Sequence, residues 1–265
     1  MLELPVEKYS ERQNISEDLV KKQLFWHGKQ EVFNIVTRLS RVERIVMELD
    51  EKLRDHIVHA MVTYLLGIFL YSKLKHDHSI HNFPFQWKFS GPLHDIAYPI
   101  EIFENLSKSW LNEVYIIKEN IQEKGEKDPN GCKPIFDKIK LGGKNSFEII
   151  RNLDNLQNEL SAIDYIQRQM NSWQIELDPE DYISWLKNER ICDHGAIGSI
   201  VLLNILDFIY QAHNPTRKRE FTPYGNNNFN QEIFENDLVA SVSAIFVHNI
   251  HNNYLKKNKI KIVFV

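Results

Sequence analysis

Four short segments place histidine or aspartate among apolar neighbours: Arg54-Asp55-His56-Ile57-Val58-His59, Leu93-His94-Asp95-Ile96-Ala97-Tyr98-Pro99, Cys192-Asp193-His194-Gly195 and Phe246-Val247-His248-Asn249-Ile250-His251. In the first and last, two histidines stand at i,i+3 and so share a helix face. A neutral imidazole tolerates burial when both ring nitrogens have partners, whereas a carboxylate is costly to bury alone. A metal ion supplies such a partner, and a carboxylate beside a histidine can bridge two ions. One buried histidine on its own is more often a hydrogen-bonded core residue. Four such segments, one carrying the adjacent pair His94-Asp95, are harder to read as chance, and the pattern alone leaves a metal site and hydrogen-bonded core histidines both open. Consecutive residues can both reach an ion where a helix ends or bends, and Pro99 predicts such an end because proline disfavours helix in the residue before it.

Helices must position these groups. Apolar residues recur at three- and four-residue steps from Ser16 to Leu49, with Ser16 as a helix start. Asp50 to Lys75 reads as a long apolar helix with Val58, Val62, Leu65, Leu66, Phe69 and Leu70 on its buried side. A polar loop with His76, His78 and His81 follows, then a short buried helix from Trp87 to Ala97 and another from Pro99 to about Glu123. Glu123 to Gly143, rich in Lys, Gly, Pro and Asp, reads as an exposed loop or insertion. Further helices are predicted over Asn145–Met170, Pro179–Asn188, Asp193–Gln211 and Asn230–Lys257, with a long loop from His213 to Asn228. The one β-branched run is Ile260 to Val265. The five tryptophans have aliphatic neighbours at helical spacing and read as core, while Tyr98 stands close enough to the His-Asp pair to face a pocket. The expectation is a single all-α domain over residues 1–265, with an N-terminal helical extension at 1–49 and a core at 50–257.

Composition narrows the class. The 265 residues are 43% hydrophobic, enough to build a sizeable core and against a disordered chain. Two cysteines, Cys132 and Cys192, are too few for a disulfide framework and read as thiols of a reducing compartment. The charge of −4, from 32 basic and 36 acidic residues, gives no global attraction to nucleic acid or anionic lipid. The basic clusters are Arg217-Lys218-Arg219 and Lys256-Lys257-Asn258-Lys259, both read as solvated surface. No signal-peptide pattern or membrane-length apolar run is visible, so the chain is read as cytoplasmic.

Taken in order, the segments resemble the HD superfamily of metal-dependent phosphohydrolases, which is all-helical and named for an adjacent His-Asp pair. His59-Ala60-Met61-Val62 resembles the helix of the first histidine, 35 residues before His94. Leu93-His94-Asp95-Ile96 resembles the defining pair. Asp193-His194-Gly195-Ala196-Ile197-Gly198-Ser199 resembles a helix start of two-metal members, and Ala244-Ile245-Phe246-Val247-His248 a later helix ending in histidine. The similarity spans Arg54 to His251. It implies a compact multi-helix bundle and one or two divalent transition ions (Mn, Fe, Co, Ni or Zn). His59, His94 and Asp95 would hold the first, and His194 and His248, bridged by Asp95, the second.

The implied activity is cleavage of a phosphoester by metal-activated water, with a nucleotide-type small substrate as partner and no membrane. Asp95 would then be catalytic. His56 would orient the phosphate or act as general acid, or simply hydrogen-bond to a neighbour. Asp193 would orient His194 or cap the following helix, the cap being favoured, and His251 is the alternative to His248. Two departures from the superfamily stand out. Its late aspartate has no counterpart here, so the chain is truncated, or Asp237 substitutes, or metal binding is impaired. The lysine that some cyclic-dinucleotide phosphodiesterases carry after the pair is replaced by Ala97-Tyr98-Pro99. Alternatives are therefore a catalytically impaired regulatory or ligand-binding module of the same fold, and an HD-type nuclease, for which nucleic acid would be the partner.

Overall fold

Side-chain caps set several of the helix starts. Ser161 accepts from the backbone of Asp164 while the Asp164 carboxylate accepts from Ser161, a reciprocal box that satisfies two helix-end donors. Asp178 accepts from Glu180 and Asp181 ahead of a helix whose first residue is Pro179, where the missing N–H costs nothing. The computed structural model describes residues 9–26, 56–73, 83–102, 160–213 and 234–260, with isolated positions 37, 41, 154 and 156. In order the helices are α1 (Tyr9–Trp26), α2 (His56–Lys73), α3 (Phe83–Leu93), α4 (Ala162–Ser172), α5 (Pro179–Glu189) and α6 (His194–His213). A π-helical turn (Phe234–Leu238) then leads into α7 (Val239–Val247), and α8 (Asn252–Asn258) follows. Of the described residues 82% are helical and none is in a strand, so the all-α expectation holds.

Helix α7 is the hub. All but one of its nine residues are buried, and it packs against α3, α4 and α6. A continuous set of buried side chains runs from Val20 in α1 through Met61, Phe89, Ile166, Leu203 and Phe246 to Tyr254 in α8. Fully burying an aliphatic or aromatic side chain of this kind stabilises by roughly 1.5–3 kcal/mol, which makes this set the main source of order around the histidines.

Several boundaries differ from the sequence reading, each for a local reason. Ser16 does not start a helix. It lies buried inside α1 and turns its hydroxyl back onto the Arg12 carbonyl at 2.9 Å, an alternative to capping open to a mid-helix serine. The buried face of α2 is also different: Ile57, Val58, Ala60, Met61, Tyr64 and Gly67 are buried, whereas Leu65, Leu66, Phe69 and Leu70 are 37–55% exposed. That helix is apolar nearly all round, so hydropathy could not choose its face. The choice falls to Gly67, where a Cβ would overlap the Trp87 indole, and the indole N–H donates to the Tyr64 carbonyl at 2.9 Å.

The predicted helix Asn230–Lys257 is three elements rather than one, and the helix predicted from Asn145 begins only at Ala162 among the described residues. Trp173 is 39% exposed rather than core. The segment 123–143, the loop histidines 76, 78 and 81, the basic run 217–219 and the terminal run 261–265 lie outside the described residues.

Candidate metal centre

His94 and Asp95 stand where α3 stops. Leu93 is its last helical residue, and 94–97 form a turn closed by Ile96 N–H to Leu93 O and Tyr98 N–H to Asp95 O at 3.0 and 2.9 Å. The helical residues 98–102 that follow carry Pro99, which has no N–H with which to continue the α3 ladder. The tight turn lets two consecutive side chains reach one place, as the sequence reading required. His59 comes from one turn inside α2, His194 is the first residue of α6, and His248 caps the C-terminus of α7.

All four imidazoles converge on one carboxylate. Asp95 Oδ2 lies 3.2 Å from His94 Nε2 and 3.8 Å from His59 Nε2. Its Oδ1 lies 3.1 Å from His194 Nε2 and 3.5 Å from His248 Nε2. The ligand atoms fall into two groups, His59–His94–Asp95 and Asp95–His194–His248, each compact enough for one cation and sharing Asp95. His194 is buried, whereas His248 in the same group is an exposed residue and His59 in the other is half-buried, so each group has a ligand atom that solvent can approach.

The remaining ring nitrogens decide which way the lone pairs point. His94 Nδ1 lies 2.7 Å from the carbonyl of Gly91, and His248 Nδ1 lies against that of Ile245. His194 Nδ1 lies 2.6 Å from Glu101 Oε2. A carbonyl or carboxylate oxygen only accepts, so each of these Nδ1 atoms carries the proton. In the neutral ring the Nε2 atom then presents a lone pair. Three Nε2 lone pairs therefore face Asp95, and those of His194 and His248 face each other at 3.2 Å. Such a cluster of acceptors needs protons or a cation to hold it together, and imidazole with carboxylate suits a divalent transition ion. Without an ion, protons do this work. Burial works against the charged form of His194, but hydrogen bonds to Asp95 and Glu101 outweigh it and push its pKa up to about 9. Burial likewise works to raise the Asp95 carboxyl, yet hydrogen bonds from His194, His248 and His94 hold it far below the usual carboxylate range.

The other candidates fall into place around this cluster. His56 is buried and stacks on Tyr98 with ring centroids 3.6 Å apart, and Tyr98 meets the His194 ring edge-on at 5.2 Å. Tyr98 thus borders the centre, as its position suggested. Asp193 is the cap: its Oδ1 accepts from Ala196 N–H at 2.9 Å. Orienting His194 falls to Glu101, which the sequence reading did not single out. His251 lies outside both groups; its Nδ1 accepts from Asn253 N–H at 3.3 Å to start α8, and its ring lies against Trp185. The chain breaks out of helix between His248 and His251, which sends the two rings in different directions and removes the shared face that their i,i+3 spacing predicted. Asp237 belongs to neither cation group; it is buried in the π-helical turn and accepts from Gln86 Nε2 at 3.2 Å.

Tyr182 fixes the start of α6 from outside the centre. Its hydroxyl donates to Asp193 Oδ2 and accepts from His251 N–H at 3.0 Å, tying α5 to α6 and to the break after α7. Phenylalanine at this position leaves a buried carboxylate oxygen and a backbone N–H without that partner. The expected loss is about 1–3 kcal/mol of folding stability, read as a lower denaturant midpoint at unchanged slope. A cavity of about 410 Å³ opens beside this network, lined by Glu101, Cys192, Asp193, Asn249, Ile250 and His251 among others.

Comparison of the chain with family models, with curated proteins and with solved structures returned no match. No helix among the described residues is long and apolar enough to cross a membrane.

Proposed function

We propose that this chain is a metal-dependent phosphohydrolase of the HD type acting on a small phosphoester of the nucleotide class. The observation that carries the reading is the set of three Nε2 lone pairs, fixed by their Nδ1 partners, that face the one Asp95 carboxylate. His59, His94 and Asp95 would hold one divalent transition ion, and Asp95, His194 and His248 a second. Bound there, the ions supply a water that deprotonates near neutral pH and positive charge for the phosphoryl oxygens. Asp95 turns Oδ2 toward His94 and His59 and Oδ1 toward His194 and His248, so it would be shared between the two positions. His59 and His248, the ring-bearing residues of the centre nearest to solvent, are where a substrate would approach. His56, one turn before His59 and stacked on Tyr98, is the candidate to hold a phosphoryl oxygen or to give up a proton to the leaving group.

A second reading is favoured by one observation. Asp237, the acid available to replace the superfamily's late aspartate, accepts from Gln86 and belongs to neither cation group. That supports a module which keeps the fold and a cation but has lost turnover. Elemental analysis of the purified protein beside the His94→Ala/Asp95→Ala double variant, followed by a phosphoester panel with the reconstituted protein, separates the two. Near two equivalents of a transition metal, lost in the variant, with release of phosphate from a nucleotide substrate, is the expected result. Metal without hydrolysis of any member of the panel favours the impaired module. No metal, even after reconstitution, overturns the hydrolase reading.

A further inference from the structure

His94 and His248 reach their carbonyl partners three residues earlier in their own chain, at Gly91 and Ile245. Local backbone geometry therefore presents the acceptor that sets each tautomer. His194 is placed differently. As the first residue of α6 it has no preceding helical turn to offer a carbonyl. The acceptor comes instead from a side chain distant in sequence: Glu101 Oε2, 2.6 Å from Nδ1 and 3.2 Å from the His194 backbone N–H. One carboxylate oxygen thus holds both the ring and the helix end that carries it. Asn249 is a competitor at the same atom, with its side-chain Nδ2 3.3 Å from His194 Nδ1. An amide N–H donating there would select the opposite tautomer and turn an N–H toward Asp95.

We infer that Glu101 is a positioning residue that gives the second cation position its ligand, by holding His194 in the tautomer whose Nε2 lone pair faces Asp95 and His248. The inference rests on the two-cation reading above and deepens it. The first position uses no atom of His194 and is independent of Glu101. Loss of Glu101 therefore weakens one cation out of two, which general damage to the fold would not do. Groups that orient a metal-binding histidine in this way are typically worth 10- to 100-fold in metal affinity.

The test is calorimetric titration of the metal-free full chain with Zn²⁺, with elemental analysis of the loaded protein, for the wild type, Glu101→Met and Glu101→Gln. Methionine keeps the approximate shape and removes the acceptor; glutamine keeps a neutral acceptor for the Nδ1 proton. The expected result is two ions in the wild type, and a second ion bound 10- to 100-fold more weakly in the methionine variant with the first unchanged. Glutamine should restore most of the loss. Unchanged binding of both ions in the methionine variant overturns the inference and leaves the metal centre standing. A glutamine variant as weak as the methionine one also overturns it, because the site would then depend on charge rather than on tautomer. If the methionine variant loses its helical circular dichroism, glutamine alone decides: retention of two ions supports the inference, and loss of one overturns it. A wild type that binds no ion overturns both the metal reading and this inference.

Discussion

An Asp95→Ala variant is expected to purify without bound transition metal, whereas His59→Ala and His248→Ala each retain one ion. The asymmetry follows from how the two carboxylate oxygens are used. Oδ2 faces His94 and His59, and Oδ1 faces His194 and His248. Removing either outer histidine deprives one group of a ligand and leaves the other intact. Removing the carboxylate takes a ligand from both and also the one negative charge at the middle of four imidazoles. Phosphoester turnover by Asp95→Ala should fall to the level of buffer. Elemental analysis is the direct check, and an Asp95→Ala protein that still holds two equivalents would show that the ions sit elsewhere.

The second large effect is on pH. His194 in the metal-free protein has its pKa raised from 6.5 to about 9. A cation at the second position needs the Nε2 lone pair, so it must displace that proton. Apparent affinity at this position is expected to rise about tenfold per pH unit between pH 6.5 and 8, then level off above about 9. One proton per ion should be released over that range, measurable as a dependence of the binding heat on buffer ionisation. Stability of the metal-free protein runs the opposite way. A raised folded-state pKa contributes stability that is fully present below 6.5 and is lost as pH rises through about 9. The loss amounts to about 3 kcal/mol for a shift of this size. Denaturant midpoints of the metal-free chain at pH 6 and pH 9.5, beside His194→Gln, test it. A His194→Gln protein with the same pH dependence as the wild type would refute the assignment to this ring.

The histidines and Asp95 were legible in the sequence because burial of such groups among apolar neighbours is costly and therefore conspicuous. A helix end near Pro99 was legible, but the reading carried the helix through Ala97, whereas it stops at Leu93 and residues 94–97 form a turn. Glu101 was not, although it stands only six residues beyond Asp95 in Tyr98-Pro99-Ile100-Glu101. An acid near a helix start is ordinary, and nothing local says that its partner lies in α6. Its one available signal was the lack of a preceding helical carbonyl for His194, which becomes visible only once α6 is known to begin there. Similar reasons explain the misread face of α2 and the break between α7 and α8. An all-apolar helix carries no periodicity to orient it, and Phe246-Val247-His248-Asn249-Ile250-His251 has no glycine or proline to mark where the helix stops.

The two halves of the centre also differ in the length of chain they must close. His59, His94 and Asp95 lie in the first hundred residues, on α2 and the turn after α3. The other half waits for His194 and His248, at the far end of the sequence. Bringing distant segments together costs more chain entropy and comes later in folding. On the ribosome, His59, His94 and Asp95 emerge well before α7 has been made, so on the two-cation proposal a nascent chain would acquire its ions in a fixed order. The ion that arrives first would cross-link α2 to the turn after α3, against which the remaining helices then assemble.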